Sequence, residues 1–434
     1  MPNPPVADEW VERDRRRVWH GFTQMAAYAG NRPVIVESAE GREIIDVHGR
    51  RYLDAISSLW VNTLGHRVPE LDAALADQAE RVAHTTLLGN GSTVVVELAE
   101  DLSRVVPVDD ARFLFASDGA VAVEQALKIA FQYWRNEVAE GRDRYLVLGD
   151  GYHGDTVGSL SLGDGGFGTD LFDPLRFPGV VRTPGYRCPD WLSRALDTVA
   201  ASASSLAALV LEPLVQGASG MYVADPADVA ALVGACQEAG VLVICDEVAT
   251  GFGRTGTLFA SEQCRIRPDL MAVGKGLAGG YLPMSATVAS GRVAAAFDGE
   301  DLGPRTFYHG HSFGGNALAA AVARRHLALI QEWDVLANVS ARAAELAALL
   351  EATVAKQPAV GEIRQCGLMA GVELAPPGPG LRWGRRVCAA AVERGVLLRP
   401  LGEVVVLMPI LTSTAEEIDR IVSVLAESVE AVTG

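Results

Sequence analysis

Short, largely apolar runs recur between residues 111 and 290: ARFLFA, RYLVLG, AALVLEP, VLVICDE, DLMAVG and SATVAS. VAVEQALKIAFQYWRN follows the first run as a predicted helix, and residues 225–239 form another after the third. Strands without a polar face are buried on both sides, so this region predicts a mostly parallel α/β sheet. Ahead of it a polar helix, two alternating strands (VIVE and EIID, with turns at 31–33 and 48–50) and a helix over 68–84 are expected. Beyond it the spacing predicts helices over 316–332 and 336–356, then a single strand EIRQCGLMAGVEL. A helix in RRVCAAAVERG, strands VLLRP and VVVLMP, and a closing helix over 415–432 complete the chain. This last part reads as a smaller α+β unit, with PPGPG at 376–380 as a loop within it.

Length and charge narrow the classes. At about 150 residues per domain, 434 residues predict two or three domains. No apolar run approaches the roughly 18 residues that span a bilayer; the longest, 206–211 and 241–245, are strand-sized. Residues 1–17 are polar and lack an apolar core, so no signal peptide is expected. A net charge of −17 argues against nucleic-acid or anionic-membrane binding, so an anionic ligand must be held locally. Six cysteines without a CxxC pair favour reduced thiols in a cytoplasmic protein over a disulfide frame or a zinc site. Lysine occurs three times, at 128, 275 and 356, so lysine chemistry has three candidate positions.

Lys275 follows an apolar strand and lies between two glycines. An amine there points into the crevice at the carboxyl ends of α/β strands, and a partly desolvated lysine forms a Schiff base. A solvated loop lysine is the plain alternative; Lys128 and Lys356 lie in ordinary helical settings. Asp246 and Glu247 end another apolar strand, where a carboxylate requires a polar or basic partner. The protonated nitrogen of pyridoxal 5′-phosphate (PLP) is such a partner. Gly251, Gly253 and Gly256 spell GxGxxG, but TLFASEQCRIRPD after them is a poor helix, so a dinucleotide site is not expected. Ser117, Asp118, Gly119 and Ala120 join a strand to a helix start, whose free N–H groups suit a phosphate; Asp118 also reads as an N-cap. Tyr152 in GYHGDT could stack on a planar ring. The two histidines of HGHS lack a third ligand for a metal. Tether, ring-nitrogen partner, anion anchor and stacking surface together are what a PLP enzyme requires.

DEVATGFGRTG (246–256) followed by PDLMAVGKGLAGGY (268–281) resembles the class III aminotransferases of fold type I. The likeness covers nearly the whole chain and is closest to the 7,8-diaminopelargonate (DAPA) aminotransferases of biotin synthesis, which aminate 8-amino-7-oxononanoate. It is carried by WHGFTQM, SSLWVNTLGHR, AHTTLLG, GYHGDT, VQGASGM, HGHSFGGN and LLRPLG. The resemblance implies a large PLP domain over 66–320, with a mostly parallel sheet, and a small α+β domain formed by 1–65 and 321–434. It implies Lys275 as the Schiff-base lysine and proton carrier, Asp246 at the ring nitrogen, and Tyr152 and Val248 on the two ring faces. Ser117, Asp118, Gly119 and Ala120 would surround the phosphate; His153, Glu212 and Gln216 would lie close to the ring. His311 and Ser312 belong to the phosphate loop, and Ser312 would reach the cofactor of a second subunit in a homodimer. Arg399 would hold the substrate carboxylate, where a fork of donors outdoes a lysine. Phe22, Leu59, Trp60 and Gly310 would line the substrate channel, and Asp155 would meet an amine. Phe22, Leu59 and His311 replace residues typical of members that use S-adenosylmethionine as amino donor, and look like the branch that uses L-lysine. A small keto acid and an amino donor are the implied partners. The rivals are an ω-amine aminotransferase with another acceptor and a PLP-binding regulator, which would need a helix-turn-helix and a basic face.

Overall fold

The computed structural model describes residues 9–138, 141–164 and 168–434. The first eight residues of the polar N-terminal stretch lie outside the described residues. The apolar runs form a seven-stranded sheet. Its spatial order is Arg112–Ala116, Ser285–Ala289, Leu270–Val273, Leu242–Asp246, Leu206–Leu211, Arg144–Leu148 and Val180–Thr183. Every pairing from Leu270–Val273 to Val180–Thr183 is parallel; Ser285–Ala289 runs antiparallel to both of its neighbours. The central strands are buried along their whole length, as runs without a polar face demand.

The Gly119–Asn136 helix covers one face. Asp118 caps it by accepting the Val121 N–H at 3.0 Å, and Ala122, Ala126, Ile129, Ala130 and Tyr133 form its buried stripe. Pro226–Glu238 begins with proline at its first position behind the capping Asp225, and buries Val229, Leu232, Val233 and Cys236.

Two smaller sheets join the ends of the chain. Val396 and Leu397 pair in parallel with Leu53 and Asp54, adding a C-terminal strand to the N-terminal meander. Val360–Cys366, Met369–Leu374, Val404–Leu407 and Arg399–Leu401 form an antiparallel sheet under the Trp383–Glu393 helix, against which the Ala415–Thr433 helix packs. The segment expected to be one strand, EIRQCGLMAGVEL, is therefore a hairpin. Gly367 turns it at φ 58°, close enough to Thr255 that no side chain fits there. The helix expected over 68–84 stops at Ala79. The Thr93–Ser103 and Trp191–Ser202 helices and the Val180–Thr183 strand are additional to the expected elements.

Candidate active site

One cavity of about 860 Å³ opens at the carboxyl edge of the parallel strands, a volume suited to a cofactor with its substrate. Each wall comes from the residue or loop that follows a strand. Ser117–Ala120 follow Arg112–Ala116, Tyr152–Thr156 follow Arg144–Leu148, and Glu212 follows Leu206–Leu211. Asp246 and Val248 end Leu242–Asp246, and Lys275 follows Leu270–Val273. Phe22, Leu59, Trp60 and Arg399 reach the same cavity from the two ends of the chain. Gly310, His311 and Ser312 do not line it. His311 instead shares a hydrogen bond with Ser117 Oγ (2.9 Å) through Nε2, and Ser312 is exposed. Ala218, Thr156, Tyr281, Met284 and Leu401 line the cavity without having been singled out; each sits inside or beside a recognised motif, the only signal that could have found them.

At the floor, Asp246 is buried with His153, whose Nδ1 lies 2.8 Å from Asp246 Oδ2. Asp246 Oδ1 accepts the Val248 N–H at 3.1 Å, so backbone and imidazole together fix the carboxylate plane. Burial opposes charge on His153, but the bond and charge of Asp246 outweigh it and raise its pKa. Glu212 is a buried neighbour. Burial pushes its carboxyl up to about 7, and it accepts the N–H groups of Tyr152 (3.1 Å) and Gly217 (3.2 Å). Lys275 keeps part of its surface open to the cavity, yet desolvation lowers its pKa despite Asp246 and Glu212. Its Nζ lies 4.9 Å from the Trp60 ring centroid. Burial, then the nearby charge of Asp155, raises the Tyr152 phenol.

The structure carries the marks of a slot for a phosphorylated planar ring. A Cβ on Gly119 would lie 2.5 Å from Val248 Cγ1, so this helix start must be glycine for Val248 to hold its place. A Cβ on Gly154, at φ 125°, would meet the Ala120 Cβ at 2.4 Å; the GYHGDT loop thereby seats Tyr152 against the helix start. Among the described residues the Gly119 and Ala120 N–H groups have no partner within the chain, because the Asp118 cap is spent on Val121. These features fit PLP. A dinucleotide does not fit at Gly251–Gly256: the glycines lie off the cavity, and the N–H groups of Gly251 and Gly253 are bonded to Glu247 and Leu258. Among the described residues no group of three or more His, Cys, Asp or Glu is set for a metal.

The channel wall has an unusual backbone. Ser57, Ser58, Leu59 and Trp60 all have positive φ, from 48° to 76°, forming a left-handed turn without glycine. Such a conformation costs about 1–2 kcal/mol per residue, so surrounding structure must enforce it. Arg399 lines the same cavity. Its guanidinium has no hydrogen-bond or ion-pair partner among the described residues, which leaves it available to a carboxylate.

Comparison with known proteins follows the same outline. The family described as Aminotransferase class-III matches residues 24–429. The adenosylmethionine-8-amino-7-oxononanoate aminotransferase of Nitratidesulfovibrio vulgaris is 42% identical over 99% of this chain and 84% of its own length. The enzyme of that name from Geobacter sulfurreducens is 40% identical over 97% of each chain. The crystal structure of the Methanocaldococcus jannaschii enzyme of that name superposes with a TM-score of 0.94 at 33% identity, covering 97% of this chain and 98% of its own. An omega transaminase from Pseudomonas jessenii, in complex with PMP, has a TM-score of 0.93 at 28% identity, with 98% of each chain covered. Cavity, strand order and end-to-end match agree, and the chain belongs to the class-III aminotransferases.

Proposed function

We propose that this chain is a PLP-dependent aminotransferase that converts 8-amino-7-oxononanoate to 7,8-diaminononanoate in biotin synthesis, with L-lysine or S-adenosylmethionine as amino donor. The carrying observation is that Lys275, Asp246, the Gly119–Val248 slot and an unpaired Arg399 meet in one cavity. The chain around them aligns over nearly its whole length with relatives named for this activity.

When bound, PLP supplies an electron sink for the carbanion formed beside the transferred amine. The chain supplies the rest. The lowered pKa of Lys275 favours a neutral Nζ, able to tether the cofactor and to take and return a proton. Asp246, held in plane by His153 and the Val248 N–H, would accept from the ring nitrogen. Gly119 and Ala120 hold phosphate with backbone amides, which suits a protein with few lysines. Tyr152 and Val248, which line the same cavity, would hold the ring's two faces. Arg399 grips the acceptor's carboxylate with its planar fork. Phe22, Leu59 and Trp60 offer an apolar channel to the chain between carboxylate and ketone, and Asp155 meets an amine. Phe22, Leu59 and His311 favour L-lysine as the donor, whereas the relatives are named for adenosylmethionine.

The molecule acts as a homodimer in the cytoplasm, with 66–320 as its large domain and the two chain ends as its small one. Tyr308, Phe313 and Leu88 are exposed around Ser312, an apolar rim suited to a second copy, whose phosphate site Ser312 would reach. Within the described residues no helix is long and apolar enough to cross a membrane. The test is to incubate the holoenzyme with 8-amino-7-oxononanoate and each donor in turn, and to detect the diamine by mass spectrometry. Product with at least one donor is expected. Amination of other ketones but not of this one would overturn the acceptor.

A further inference from the structure

The left-handed turn at Ser57–Trp60 has no cause in its own residue types. None of its four residues is Gly, Asn or Asp, the types that tolerate this conformation, yet the turn is complete: Trp60 N–H bonds Ile56 C=O (2.8 Å), and the Val61 and Asn62 N–H groups bond Ser57 C=O (2.9 and 3.0 Å). Side-chain bonds from outside the turn hold it. Asp54 accepts the Ser58 N–H on Oδ1 (2.9 Å) and the Ser58 hydroxyl on Oδ2 (2.7 Å). Oδ2 also receives His66 Nε2 at 3.1 Å. His66 Nδ1 accepts from the Asn62 amide at 3.2 Å, and Asn62 Oδ1 accepts the Gly65 N–H at 2.8 Å, so the ring proton sits on Nε2 and faces Asp54. The Ser57 hydroxyl donates to Met408 C=O at 2.6 Å. Asp54 and Ser57 are almost fully buried, and the bonds to His66 and Ser58 outweigh burial to keep the Asp54 carboxyl below its usual range.

Two consequences meet at the cavity. The turn alone puts Leu59 and Trp60 on the channel wall, with Trp60 under Lys275 Nζ. Asp54 is also paired with Leu397, two residues before Arg399. One residue therefore ties the channel wall to the strand that leads into the carboxylate anchor.

We propose that Asp54, braced by His66, is a positioning residue for substrate specificity: it holds Ser58 in the left-handed turn that fixes Leu59 and Trp60 as the channel wall, in register with Arg399. This rests on the aminotransferase reading of the cavity, but the first readout below does not depend on turnover. The experiment compares holoenzyme and its Asp54→Asn variant by hydrogen–deuterium exchange over residues 56–64 and by steady-state kinetics with 8-amino-7-oxononanoate. The expected result is exchange of the Trp60, Val61 and Asn62 amides at least tenfold faster, acceptor KM raised about tenfold, and kcat within threefold. Adding Ser58→Gly, which accepts positive φ without a partner, should restore a threefold or greater part of the protection. Should Asp54→Asn not accumulate as folded protein, His66→Gln serves instead, with a threefold rise in exchange expected from losing one bond of the three. Unchanged exchange in the folded variant overturns the proposal, as does a fall in kcat that matches the rise in KM, or no rescue by glycine. If the wild type itself does not turn over this acceptor, the proposed function fails, and the positioning role stands or falls on exchange and rescue alone.

Discussion

Gly119→Ala tests the cofactor slot with a single methyl group. The added Cβ would lie 2.5 Å from Val248 Cγ1 and 2.9 Å from Cγ2, where apolar carbons normally rest about 3.5–4.0 Å apart. Relief requires Val248 to shift by about 1 Å, and its side chain lines the cavity, so the movement goes toward the ring plane. Overpacking of this kind costs about 1–3 kcal/mol. Because cofactor binding needs Val248 in place, most of that cost falls on the bound form, and PLP should bind about 10–100-fold more weakly. Val248→Ala in the same chain removes both clashing methyls and leaves only its own Cβ, 3.3 Å from the new methyl. The double variant should therefore recover about 1–2 kcal/mol relative to additivity. The assay is titration of cofactor-free enzyme with PLP, followed by tryptophan fluorescence, with urea denaturation of each cofactor-free variant as the stability control. Wild-type affinity in Gly119→Ala, or strict additivity in the cycle, would refute the geometry argued for the slot.

Lys275→Ala should lower kcat by a factor of at least about 10²–10⁴, the contribution of a positioned acid–base group, while thermal denaturation shows an unchanged or higher midpoint, since a desolvated amine has been removed; retained turnover would sink the assignment. Arg399→Ala should raise acceptor KM by about 10²-fold or more, as loss of a bidentate partner implies, with a far smaller effect on the donor half-reaction measured in stopped flow; equal effects would remove it from the carboxylate. Glu212 makes stability depend on pH. Its folded-state pKa, about 7, is raised above the ordinary 4.5, so the stabilisation is full below pH 4.5 and is lost as pH rises through 7. At about 1.4 kcal/mol per unit this amounts to about 3 kcal/mol. Urea denaturation of cofactor-free Glu212→Gln between pH 5 and 8 should show a correspondingly flatter profile than wild type; parallel profiles would contradict the buried, protonated state.

Cavity residues with a local sequence signature were legible. Lys275 stands out between glycines after a buried strand, and Asp246 as a charge ending one. Asp118 was legible as a cap, and the structure shows it bonded to Val121 as a cap should be. What stayed hidden depends on particular side-chain contacts. The bond from His153 to Asp246 joins residues 93 apart, and no periodicity encodes it. The turn at Ser57–Trp60 contradicts its own residue types and exists because Asp54, His66 and Met408 hold it. Other elements carry weak or conflicting local signals. The Thr93–Ser103 helix begins with three valines, which favour strands, yet Val94, Leu98 and Leu102 recur at helical spacing and are buried. Gly367 is the turn of the hairpin in EIRQCGLMAGVEL, a segment expected as one strand. The end strand Val180–Thr183 is short and half-buried, and so lacks the apolar density of its neighbours.

The central claim is a two-stage amine transfer through one cavity, and a sequential half-reaction series tests it most directly. Purified holoenzyme is mixed with L-lysine and, separately, with S-adenosylmethionine while the cofactor's visible absorption band is followed. The donor is then removed and 8-amino-7-oxononanoate is added. The account predicts loss of the band with at least one donor and its return on adding the keto acid, with 7,8-diaminononanoate in the supernatant. Loss with lysine alone would assign Phe22, Leu59 and His311 as donor-selecting residues. A band that neither donor bleaches, or one that this acceptor cannot restore, would contradict the account.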